Sequence, residues 1–79
     1  MTHENLLTSI AAILTTALET EPYPFPESMA YLAMGSDIQA WETVRAGMVH
    51  AGLVTIRGYC ITLTPKGRAL AEKCNAAVA

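Results

Sequence analysis

The hydrophobic period changes twice between residues 41 and 73, and neither an all-helical bundle nor an all-strand sheet absorbs such a change. Ile38, Trp41, Val44, Met48 and Ala51 recur at three and four residues, the stripe of a helix with one buried face. Gly52 follows, a residue free to take the left-handed conformation that closes a helix. Val54 and Ile56, then Tyr59, Ile61 and Leu63, alternate with Thr55, Cys60 and Thr62, the period of a half-buried strand pair. Arg57-Gly58 supplies the tight turn between the two strands. Thr64-Pro65 then opens a new helix, with Thr as N-cap and Pro in its tolerated first position. Ala69, Leu70 and Cys74 form the apolar side of that helix, which tolerates Gly67 where close packing needs a missing side chain. The tail from Asn75 to Ala79 is expected to fray.

Upstream, Leu6, Leu7, Ile10, Ile13, Leu14, Ala17 and Leu18 outline a first helix with a broad apolar face, capped by Thr2 or Asn5. Its end falls near residues 19–21, because Pro22 disfavours helix in the residue before it. Pro22-Tyr23-Pro24-Phe25-Pro26 reads as a stiff extended connector whose Tyr and Phe pack onto the domain. Pro26 then starts a short second helix over 27–34, with Met29 and Leu32 (or Ala33) toward the core. Gly35 ends it, Ser36 caps the third helix and Asp37 sits in that helix's first turn. The expected elements are helices near 4–20, 27–34, 37–51 and 65–75 with a hairpin near 53–63, in one α+β domain over residues 1–79.

Ala51-Gly52-Leu53-Val54, a hairpin, and then Leu63-Thr64-Pro65-Lys66-Gly67 resemble the wing region of winged helix-turn-helix proteins. The resemblance covers roughly residues 29–73. It implies a small winged helix: a three-helix helix-turn-helix core, a two-stranded β-hairpin wing and a C-terminal helix. It also implies that the third helix enters a DNA major groove while the wing touches the backbone or the adjacent minor groove. The outward positions are then Gln39, Thr43 and Ala46, with Glu42 and Arg45 beside them, and Arg57 and Tyr59 at the wing tip. Gln bonds adenine, Thr meets a phosphate or a thymine methyl, and Arg reads guanine or binds phosphate. On this basis the expected function is a small dimeric DNA-binding transcriptional regulator. The alternative is a winged helix turned to protein binding: an assembly subunit, an adaptor or a small phage-type, anti-CRISPR-like inhibitor of a host nucleic-acid machine.

Charge bears on both readings. Residues 1–44 carry Glu4, Glu19, Glu21, Glu27, Asp37 and Glu42 with no Lys or Arg, whereas residues 45–79 set Arg45, Arg57, Lys66, Arg68 and Lys73 against Glu72 alone. A basic second half fits a nucleic-acid face, but the net charge of −2 and a carboxylate at Glu42 oppose strong non-specific binding. With 52% hydrophobic residues in only 79, a second copy is expected to cover the first helix, the last helix or both.

Other classes find little purchase. The apolar run over 6–18 is shorter than the roughly 20 residues of a membrane span, and its N-terminal flank lacks a signal peptide's positive charge. A cytoplasmic protein is expected. Cys60 and Cys74 have no CxxC spacing, and His3 and His50 do not complete a zinc set, so no metal or cofactor is expected. His50 has no evident nucleophile or acid–base partner, and no Gly-rich phosphate loop is present, so the chain does not read as an enzyme.

Overall fold

A computed structural model describes residues 3–78. Thr2 as a possible cap, and Ala79 in the expected fraying tail, lie outside the described residues. The element order is α1 (His3–Thr20), β1 (Phe25–Pro26), α2 (Glu27–Ala33), α3 (Ile38–His50), β2 (Val54–Arg57), β3 (Cys60–Leu63) and α4 (Pro65–Val78). The α+β class and the expected helices and hairpin are present, with α4 continuing through Asn75 to Val78 where fraying was expected.

Local chemistry explains most boundaries. Gly52 has φ +73°, its N–H donates to Val49 O at 3.0 Å, and the Leu53 N–H donates to Met48 O at 2.9 Å. That is a Schellman closure of α3, with Leu53 and Met48 both buried beside it. The same pattern ends α2, where the Gly35 N–H donates to Leu32 O and the Ser36 N–H to Tyr31 O. Ser36 therefore has φ +58° and belongs to the end of α2. The cap of α3 is Asp37, whose Oδ1 accepts from the backbone N–H of Gln39 and Ala40, each at 3.1 Å. Both Ser and Asp are capping types, and the second Schellman bond from Ser36 assigns the role one residue later than expected.

The hairpin is likewise shifted by one. Arg57 pairs with Cys60, so the turn residues are Gly58 and Tyr59, with φ +56° and +62°. Positive φ at both central positions is the geometry whose twist suits two-residue hairpins. Arg57 is consequently a strand residue, and Tyr59 leaves the alternating apolar face for the exposed turn.

The sheet has three strands in the order β1-β3-β2, where a two-stranded wing was expected. Phe25 and Pro26 pair antiparallel with Ile61 and Cys60, so the proline connector contributes an edge strand. An edge tolerates Pro because one side of the strand needs no N–H. Phe25 is buried there, while Tyr23 stays exposed rather than packing onto the domain.

The core is formed where α1, α3, α4 and the sheet converge. It holds Ile13, Leu14 and Ala17 from α1, Trp41, Val44 and Met48 from α3, Ile61 and Leu63 from β3, and Ala71 from α4. Fully burying a side chain such as Leu14 or Val44 stabilises the fold by about 1.5–3 kcal/mol. Several expected core positions are outside it. Met29, Leu32 and Ala33 of α2 are exposed and Ala30 is buried instead; Ile38 and Ala51 are exposed at the two ends of the α3 stripe. On α4 the inward line is Gly67, Ala71 and Cys74, leaving Ala69 and Leu70 exposed. The apolar face of α1 is covered within the chain, with Leu6, Ile10 and Leu18 packed on the core and Leu7 exposed.

Gly67 joins the two halves of the fold. A Cβ there would lie 1.8 Å from the Leu53 carbonyl oxygen, so only glycine admits this approach of α4 to the end of α3. Thr64 secures the same junction: its N–H donates to Leu53 O at 3.0 Å, and its Oγ1 accepts from the Gly67 N–H at 3.0 Å.

Candidate binding surface

The exposed side of α3 follows from its period. Trp41, Val44 and Met48 face the core, which turns Gln39, Ala46 and His50 squarely outward. Thr43 lies on the flank toward α1, where Gln39, Ala40, Asp37 and Asn5 share a shallow cleft with it. Ile38, Glu42, Arg45 and Val49 line the other flank, toward α2 and the hairpin.

The positions implied by the resemblance are thus distributed over several surfaces. Gln39, Thr43 and Ala46 are exposed on the outward and α1-facing sides of α3. The Thr43 hydroxyl donates to Gln39 O at 2.9 Å, within the helix. Tyr59 is 82% exposed at the hairpin turn and lies with Ile38 and Trp41 on the opposite flank. Arg57 is exposed at the end of β2 and makes no ion pair among the described residues.

Arg45 is the one Lys or Arg on α3, and it is engaged. Its Nε donates to Glu27 Oε1 at 2.7 Å, in a pair whose Glu side chain is 15% exposed. A second pair joins Arg68 to Glu21; the hydrogen bond and the charge of Glu21 raise the Arg68 pKa above its ordinary value. Lys66 donates from Nζ to Ala51 O at 3.0 Å, at the carbonyl end of α3 where a cation is favoured. The acidic and basic halves of the chain are therefore partly neutralised against each other.

Sequence reasoning did not identify the surface beside Arg45. Glu27, Ser28, Tyr31, Ile38, Trp41 and Tyr59 line a shallow, open groove between α2, α3 and the turn. Its edge is held by the Glu27 N–H, which donates to Tyr59 O at 2.7 Å. Next to it α2 presents Met29, 55% exposed, and Leu32, 64% exposed; Ile38 is 54% exposed. One signal was available: from Trp41, Val44 and Met48 alone, Ile38 falls about a quarter turn off the buried stripe. On α2 the apolar residues run consecutively from Met29 to Met34, so no period distinguishes inside from outside.

No polar or charged side chain is buried among the described residues. None of their His, Cys, Asp and Glu side chains form a group of three or more placed to hold a metal ion. Cys60 and Cys74 are free, half-buried thiols. No helix among the described residues is long and apolar enough to cross a membrane. No protein-family model, curated protein or solved structure matches the chain.

Proposed function

We propose that this chain is a winged helix whose α2–turn–α3 face, together with the hairpin tip, binds a protein. The order helix, Gly-Ser turn, helix, hairpin, helix supports the winged-helix reading, with β1 as an added edge strand. The observation that carries the protein partner is the Arg45–Glu27 pair. It ties the one Lys or Arg of α3, whose side chain is 44% exposed, to a carboxylate of the same chain, so the exposed helix face retains Glu42 without an unpaired Lys or Arg to compensate it. Duplex affinity rests chiefly on cations that release counterions from phosphates. A face with exposed Met29, Leu32, Ile38 and Tyr59 beside carboxylates fits the apolar core and polar rim of a protein interface better.

The runner-up is a duplex-DNA regulator, and one observation favours it: Arg57 is exposed beside the hairpin turn and free of any ion pair among the described residues. A salt titration of wild type and Arg57→Ala against mixed-sequence duplex DNA separates the two readings. Protein binding predicts no measurable duplex affinity even at low salt. The regulator reading predicts binding whose dependence of log affinity on log salt falls by about 0.9 in Arg57→Ala. In that case Gln39→Ala or Thr43→Ala relaxes sequence preference and leaves the slope nearly unchanged. Self-association through α1 and α4 has Leu7 and Leu70 as its exposed apolar anchors, and sedimentation of Leu7→Gln against wild type measures their contribution.

A further inference from the structure

We draw no further inference here: the strongest candidate, the shallow apolar groove between α2, α3 and the hairpin turn lined by Tyr31, Ile38, Trp41 and Tyr59, carries nothing beyond the reading already given, because nothing in the structure shows what covers it.

Discussion

The junction of α3 with α4 and the contact of α2 with the hairpin tip both bring a helix N-terminus to a backbone carbonyl, yet they are built differently. At the first, Thr64 and Gly67 close on Leu53, and a Cβ added to Gly67 would overlap its carbonyl oxygen at 1.8 Å. Leu53 and Ala71 are buried beside it, and Lys66 caps the neighbouring Ala51 carbonyl. At the second, the Glu27 N–H bonds Tyr59 O and the Glu27 side chain holds Arg45, but Met29, Leu32, Ile38 and Tyr59 remain exposed around these contacts. Interlocked backbone leaves side chains no latitude; a contact made by one backbone bond and one ion pair leaves apolar surface unclaimed. The first region is accounted for by folding, whereas the second has more apolar surface than folding requires.

Glycine substitutions give the largest expected contrast. Gly67→Ala should cost about 3 kcal/mol, since its neighbour is backbone and cannot move aside without shifting α4. Gly47→Ala, also on a helix, meets only Ile10 Cδ1 at 3.7 Å and should gain up to about 1 kcal/mol from the lower entropy of the unfolded chain. Urea denaturation of both variants measures the difference; equal effects would show that the junction has room to relax.

Caps come next. Thr64→Val keeps the shape of the side chain and loses the acceptor for the Gly67 N–H and the donor to Gly52 O at 2.6 Å, with an expected loss of about 2 kcal/mol. Asp37→Ala removes a more exposed cap and should cost about 1 kcal/mol. If Asp37→Ala proves the costlier of the two in thermal unfolding, the junction is not the firmer region.

The smallest effect is expected on α2. Met29→Gln and Leu32→Gln replace exposed side chains and should each change stability by no more than about 0.5 kcal/mol. A loss of 2 kcal/mol in either would mean that this surface is part of the fold, and would remove the ground for reading it as an interface.

By itself the sequence determined most of the boundaries between α1 and the start of α4, though neither β1 nor the extent of α4 to Val78, because caps, Gly closures and Pro act within a few residues of chain. Gly52 and Thr64-Pro65 fall where expected, and so do Trp41, Val44 and Met48 in the core. Even the displacements by one residue, at Asp37 and at Gly58-Tyr59, were choices between two local options of similar chemistry. Only the tertiary structure decided which surfaces meet. It brought Phe25 beside Ile61, across a separation no period reports, and made a strand of a proline run. It turned Met29, Leu32 and Ala33 outward and Ala30 inward, a choice that the unbroken apolar run of α2 leaves open. It also paired Glu27 with Arg45 and Glu21 with Arg68, so a charge polarity plain along the chain is partly cancelled in space. Charge adds along a sequence without regard to distance, whereas the potential at a surface depends on which opposite charges lie within a few ångströms.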